Sequence, residues 1–234
     1  ASVASGGLGD VYKRQILHHI IIKIELEQYF LLMEHYKWTI KMKGRRNFYW
    51  ITRNALIPAE CRRILDHAEG KWEVAGEMIG TSTTKIISNK RRCKVAWLTD
   101  QWIYDIVFPI MRNANEGAGW KYEISEAEDT QITLYEVDNF YSLHSDGDHD
   151  HFAVDNADGT VRKLSMSIHL NDSYSGGELR FCHYANKKCQ MYSENTLGIG
   201  DCITFPADIE HEITPVLLGT RYALVVWFRG KPYK

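Results

Sequence analysis

Three features of the chain predict an α+β fold. Apolar residues recur with a period of about 3.6 in two segments before Asn115. From Thr130 onward the period falls to about two. Clusters of Gly, Asp and Asn then divide the second part into many short strands. A length of 234 residues allows one domain with a substantial core. Apolar and charged fractions of 44% and 25% are those of an ordinary globular protein, which excludes collagen-like and disordered classes.

The first residues stand apart. Asp10 to Gln15 reads as the translation of a transposon-end adaptor used in sequencing libraries, so residues 1–15 are expected to be a scar of metagenomic assembly. Ile16 to Leu32 is apolar but interrupted by Lys23, Glu25 and Glu27, and does not read as a membrane span, which needs about 20 mostly apolar residues. It reads as a short amphipathic helix or as translated DNA upstream of a start at Met33 or Met42. No signal peptide is evident. Residues 1–32 are therefore expected to be an extension, and 33–234 a single domain.

Pro58 opens the first predicted helix. Ala59, Cys61, Ile64, Leu65 and Ala68 give it one apolar face, and Gly70 ends it. A second helix is predicted over Asp100–Asn115 from the stripe Trp102, Ile103, Ile106, Val107 and Ile110, with a kink expected at Pro109. Its aromatic residues fit a packing face better than a cofactor box. Strands follow. Ile132 and Leu134, then Lys163 to Leu170, alternate like half-buried strands, and Glu178–His183, Asp201–Phe205, Glu210–Pro215 and Arg221–Phe228 are further candidates.

The five cysteines include no CxxC pair, and their number is odd, which argues against a disulfide framework and for a reducing compartment. Cys182 and Cys202 fall in strand-like segments and read as small buried apolar residues. A net charge of −2 gives no overall attraction to nucleic acid. The basic runs Lys41–Arg46 and Lys90–Arg92 read as solvated faces.

The chemistry concentrates in His144-Ser145-Asp146 and the distant His211, with Arg221 beyond it. Two imidazoles and one carboxylate suit a non-haem Fe(II) ion and leave coordination positions open. Residues two apart in a strand face the same side, so His144 and Asp146 can converge if their strand continues through Asp146. Arg221 sits among Tyr222, Ala223, Leu224 and Val225, where a guanidinium needs an anionic partner. His149, Asp150 and His151, with Asp148, form a second local cluster. That cluster falls in a stretch rich in turn formers, and Asp146–Thr160 is expected to be a mobile flap over the site. His67 and His183 read as ordinary surface or partly buried residues.

With Tyr141 before the first His, Gly176-Gly177-Glu178-Leu179 between the halves, and Pro215 and Trp227 after the second His, this set resembles the 2-oxoglutarate/Fe(II) dioxygenases of the prolyl 4-hydroxylase type. The likeness runs from about Tyr135 to Trp227. From Trp97 to Tyr135 the chain is most similar to the small enzymes of marine phages and microbes, which implies a viral or metagenomic source. The resemblance implies a double-stranded β-helix (jelly-roll) core with the N-terminal helices outside one sheet. His144, Asp146 and His211 would bind Fe(II), and Arg221 would meet the far carboxylate of 2-oxoglutarate. His169, where the family usually has Tyr, would touch the same carboxylate. Tyr135, Tyr141, Thr214 and Trp227 would line the pocket, and Arg162 would stand near the substrate entrance. The implied reaction uses O2, releases succinate and CO2, and hydroxylates an unactivated C–H, with ascorbate as a candidate auxiliary reductant.

The leading expectation is therefore hydroxylation of a prolyl residue in a peptide or protein, in the cytoplasm of the host cell if phage-encoded. Hydroxylation of a free amino acid or other small molecule is the alternative within enzymes. A non-catalytic jelly-roll binding module is the alternative outside them, although the intact ligand set argues against it. Nucleic-acid demethylation fits less well, because that group usually carries a second Arg after the position of Arg221 and the charge here is not basic. No membrane partner is expected.

Overall fold

The computed structural model describes residues 47–75, 77–79, 82–84, 90–147, 159–185, 188–194 and 196–232. The N-terminal extension, residues 148–158 of the expected flap and the cluster His149, Asp150 and His151 lie outside the described residues. The elements are β1 (Trp50–Thr52), α1 (Pro58–Ala68), β2 (Glu73–Val74), β3 (Glu77–Ile79), β4 (Ser82–Thr84), β5 (Arg91–Arg92), β6 (Lys94–Leu98), α2 (Gln101–Gly117), β7 (Glu126–Ala127), β8 (Thr130–Tyr135), β9 (Phe140–His144), β10 (Val161–His169), β11 (Tyr174–Gly176), β12 (Leu179–Ala185), β13 (Lys188–Ser193), β14 (Cys202–Pro206), β15 (His211–Ile213), β16 (Val216–Gly219) and β17 (Arg221–Gly230).

Both helices follow the predicted signals. Pro58 occupies the first turn of α1, the Glu60 carboxylate accepts from the Ile57 N–H at 2.8 Å, and Cys61, Ile64 and Ala68 are buried. Gly70, at φ +76°, follows its end. In α2 the buried residues are Ile103, Val107, Met111 and Ala114, one turn apart. The helix continues past Pro109, which lies on the exposed side, where water can satisfy the carbonyl that Pro leaves without a donor.

β11 pairs with β16 and β3 with β4 as separate two-stranded sheets, while most of the described strands form two antiparallel sheets that face each other. The larger runs β1-β14-β10-β17-β8-β6-β2, with β7 also on β17, and the smaller runs β13-β12-β15-β9-β5. One apolar cluster fills the space between the large sheet and the helices, joining Ile64, Ile103 and Val107 to Ile132, Met166, Ile168, Leu224 and Val226. A second cluster, including Tyr135, Phe181, Ile203, Phe205 and Ile213, lies between the sheets. This is the jelly-roll expected, with the helices outside one sheet.

Three expectations need correction. First, β8 and the segment Lys163 to Leu170 are buried at every position rather than half-buried, because the two faces of these strands serve the helical layer and the space between the sheets. Second, the strand carrying His144 ends there and does not continue through Asp146. Third, Cys182 and Cys189 are joined as a disulfide across the β12–β13 hairpin, with Cα atoms 5.4 Å apart. The polar segment Lys188–Ser193 gave no strand signal. Once it pairs with β12, the register sets Cys189 opposite Tyr184 and two residues from the Cys182 level. Cys61, Cys93 and Cys202 are free and buried.

Candidate active site

Antiparallel pairing of β15 with β9 sets His211 directly opposite His144. Asp146 reaches the same place by a different route. Beyond β9 the chain turns, and the N–H groups of Asp146 and Gly147 both donate to the Ala207 carbonyl, at 3.0 and 2.8 Å. Its carboxylate then stands 3.6 Å from His144 Nε2 through Oδ1 and 3.6 Å from His211 Nε2 through Oδ2. The three ligand atoms lie within 4.8 Å of one another.

The hydrogen bonds around these atoms settle the tautomers. His144 Nδ1 lies 2.8 Å from the Ser142 carbonyl and His211 Nδ1 lies 2.9 Å from the Ile209 carbonyl. A carbonyl only accepts, so each Nδ1 carries the proton and each Nε2 offers its lone pair beside Asp146. Ser165 Oγ donates to Asp146 Oδ2 at 2.6 Å, and Arg162 Nη1 donates to the Asp146 carbonyl at 3.1 Å. Burial alone would raise the Asp146 carboxyl, but the charge that His211 and His144 carry when protonated, together with Arg162, holds it well below the usual carboxylate range. Burial lowers the His211 imidazole against the pull of Asp146, which favours its neutral form. The Tyr141 ring stacks on His144 with centroids 3.5 Å apart, and Phe205 packs edge-on to His211 at 4.8 Å. Neutral imidazole pairs with fixed tautomers and an oriented carboxylate are the donor chemistry that an Fe(II) ion requires.

These ligands open into a cavity of about 450 Å³, mouth included, between the two sheets. Gln131, Thr133 and Tyr135 of β8, Ser165 and Ser167 of β10, and Arg221, Val225 and Trp227 of β17 line one side, with Leu179, Phe205 and Ile213 among the rest. Arg221 is 1% exposed, faces the Tyr135 ring at 5.6 Å, and has no hydrogen-bond partner at Nε or Nη2 among the described residues. A buried guanidinium with free N–H groups at a cavity wall matches a carboxylate ligand. The Gly176-Gly177 turn makes room for it: Gly177 has φ +60°, and a Cβ there would lie 2.9 Å from Arg221 Cδ.

The other sequence candidates separate. Tyr135 is 2% exposed; burial and Cys93 raise its phenol against the pull of Arg91 and Arg221, so it remains a protonated donor. His169 is not among the lining residues but occupies the same face of β10 as Ser165 and Ser167. Arg162 is also outside the lining. It makes a bidentate pair with Glu128, at 2.7 and 2.5 Å, and lies 4.2 Å over the Trp227 ring. Thr214 does not line the cavity; its hydroxyl accepts the Glu178 N–H at 2.9 Å. Arg91, Ser165 and Thr133 went unread in the sequence. Arg91 lies in a short basic run that looks solvated, and Ser165 and Thr133 are indistinguishable by pattern from the outward residues of a half-buried strand.

Residues 130–229 match the family model of the 2OG-Fe(II) oxygenase superfamily. Solved structures share the fold. The chain is similar to a viral collagen prolyl hydroxylase of Paramecium bursaria Chlorella virus-1 in complex with 2-oxoglutarate, at 18% identity over 79% of this chain and 97% of that one, with TM-score 0.56. It is similar to a Pseudomonas putida prolyl-4-hydroxylase at 19% identity over 82% and 97%, with TM-score 0.56. A Trichoplax adhaerens prolyl hydroxylase, bound to a peptide fragment of the hypoxia inducible factor oxygen degradation domain, matches at 17% identity over 96% and 94%, with TM-score 0.57.

Proposed function

We propose that this chain, whose residues 130–229 match the 2OG-Fe(II) oxygenase superfamily, uses Fe(II), 2-oxoglutarate and O2 to hydroxylate a prolyl residue in a peptide or protein. The observation that carries the reading is one cavity that holds both a His-Asp-His ligand cluster and a buried guanidinium with unpaired N–H groups. His144, Asp146 and His211 would hold the metal, and Arg221 the far carboxylate of 2-oxoglutarate. When bound, the metal and co-substrate supply the oxidising chemistry: O2 is consumed, 2-oxoglutarate yields succinate and CO2, and one oxygen atom enters a C–H bond of the substrate.

The protein's part is position and charge. Ser165 and the Ala207 carbonyl fix Asp146, so its carboxylate offsets metal charge without changing orientation. Arg221 compensates one carboxylate, and Tyr135, Leu179, Phe205 and Ile213 keep the interior apolar. Trp227 with Arg162 over its ring, and Trp97 with its ring 6.4 Å from Trp227, present an aromatic surface beside the cavity that suits a pyrrolidine ring. The peptide bound in the Trichoplax structure lends support to a peptide substrate.

One observation favours a second reading. Arg91 also lines the cavity, and among the described residues its partners are the Cys93 sulfur at 3.0 Å and the Tyr141 ring at 4.7 Å rather than a carboxylate. A second guanidinium would suit a substrate with its own carboxylate, such as a free amino acid. Incubation of the iron-loaded protein with 2-oxoglutarate and either proline-containing peptides or free amino acids separates the two. The proposal expects succinate formation stimulated by a peptide, with one oxygen atom located on proline by mass spectrometry. Stimulation by free amino acids alone would replace it with the second reading.

A further inference from the structure

Tyr174 lies on β11, outside the lining of the cavity, yet its hydroxyl is 3.2 Å from His169 Nδ1. His169 stands opposite Ala223 in the β10–β17 register, and Arg221 is two residues from Ala223 on the same face. His169 is 7% exposed, and its Nε2 is buried with no hydrogen-bond partner among the described residues. Two neighbouring side chains thus carry buried nitrogen atoms unpaired among the described residues, and one of them, Arg221, stands in the cavity wall. Burial, then the Arg221 charge, push the His169 imidazole down to about 3, so it is neutral at ordinary pH.

A neutral imidazole has one N–H and one lone pair, and the partner of one nitrogen decides what the other can do. A carboxylate only accepts. If Nδ1 carried the proton, the Nε2 lone pair would oppose a carboxylate held by Arg221. If the Tyr174 hydroxyl donates to Nδ1, Nε2 becomes a donor. We propose that Tyr174 is a positioning residue for the co-substrate: its hydroxyl donates to His169 Nδ1 and holds the Nε2–H tautomer, making His169 a second donor, beside Arg221, to the far carboxylate of 2-oxoglutarate. This rests on the reading of Arg221 as the carboxylate anchor. It assigns Tyr174 a role through His169, with no contact to the ligand.

The test uses the full chain, loaded with Fe(II) under nitrogen, with 2-oxoglutarate binding followed by calorimetry. Tyr174→Phe is expected to weaken binding about 2- to 10-fold, the range of one net hydrogen bond, and to raise KM for 2-oxoglutarate while kcat at saturation holds. In a His169→Gln background the same substitution is expected to have no further effect. Imidazole ¹⁵N shifts of the wild-type protein with 2-oxoglutarate bound, read with Zn(II) in place of iron, give a result independent of any variant and of turnover. They are expected to show protonated Nε2 and unprotonated Nδ1. Unchanged affinity in a folded Tyr174→Phe protein, an equal loss in the His169→Gln background, or an Nδ1–H tautomer overturns the proposal. Retained affinity in Arg221→Met would instead remove the anchor reading on which it rests, so the two failures are distinguishable.

Discussion

Replacing Arg221 by Met should separate stability from function in opposite directions. The guanidinium is 1% exposed with two nitrogen atoms unpaired, so in the ligand-free protein it is a buried charge without a full set of acceptors. Unsatisfied buried donors cost about 1–3 kcal/mol, and apolar replacements of buried charges are often neutral or stabilising. Met keeps much of the side-chain volume beside the Tyr135 ring. For a domain of this size each kcal/mol moves Tm by about 2–4 °C, so the ligand-free variant should melt a few degrees above the wild type. Its response to 2-oxoglutarate should vanish. Truncating one member of a buried charge pair typically costs about 2–5 kcal/mol, which is roughly 30- to several-thousand-fold in affinity. The wild type at 100-fold excess over Kd gains about 2.7 kcal/mol from ligand, a shift of several degrees. Differential scanning fluorimetry with Fe(II) under nitrogen, with and without 2-oxoglutarate, measures both effects. A ligand-free variant less stable than the wild type would show that Arg221 is already satisfied. An undiminished ligand shift would place the anchor elsewhere, with Arg91 the next candidate.

Three further outcomes are expected. His144→Ala and His211→Ala should each lose iron binding by metal analysis and lose succinate formation; full turnover in either would exclude that residue as a ligand. Ser165→Ala removes the 2.6 Å donor to Asp146 Oδ2 and should weaken Fe(II) binding by about 10-fold or more, while Ser165→Thr retains most of it; equal affinity in all three would deny Ser165 that role. Asp201→Asn should destabilise the fold by about 1–3 kcal/mol at neutral pH, because the carboxylate accepts from the Asn54 and Gly198 N–H groups and from Arg53. Burial raises the Asp201 carboxyl, but those donors leave it below its ordinary value, so its contribution is full above that value and fades as pH falls through the folded one. Chemical denaturation at several pH values should show the gap between wild type and variant closing in acid; a constant gap would contradict the linkage.

The cluster of His144, Asp146 and His211 and the buried Arg221 were legible in the sequence because their atom types restrict the chemistry so strongly. The route to Asp146 was not. Alternation within a strand explains His144, but Asp146 arrives through a turn clamped by the Ala207 carbonyl, a long-range contact with no local signature. Ser165 and Thr133 were hidden for a related reason. Small hydroxyl residues at alternate positions signal a solvated face, whereas here a second sheet covers that face and turns it into a cavity wall. The two helices were readable from one apolar stripe each, since a surface helix needs only one buried face. The disulfide depends on pairing a strand with no apolar pattern, so the spacing of Cys182 and Cys189 alone could not disclose it.

The inner strands of the large sheet carry two interleaved messages. In β8, β10 and β17 the odd-numbered residues Gln131, Thr133, Tyr135, Ser165, Ser167, Arg221, Val225 and Trp227 border the cavity. The even-numbered residues Ile132, Leu164, Ile168, Leu224, Val226 and Phe228 belong to the layer under the helices, and Met166 belongs to that layer while also bordering the cavity. Diversifying only the odd set would therefore vary what the pocket accepts while leaving the helical layer intact. The same arithmetic makes these strands intolerant of length change. Inserting or deleting one residue would exchange the two sets, sending Arg221's neighbours into the helical layer and aliphatic side chains toward the metal.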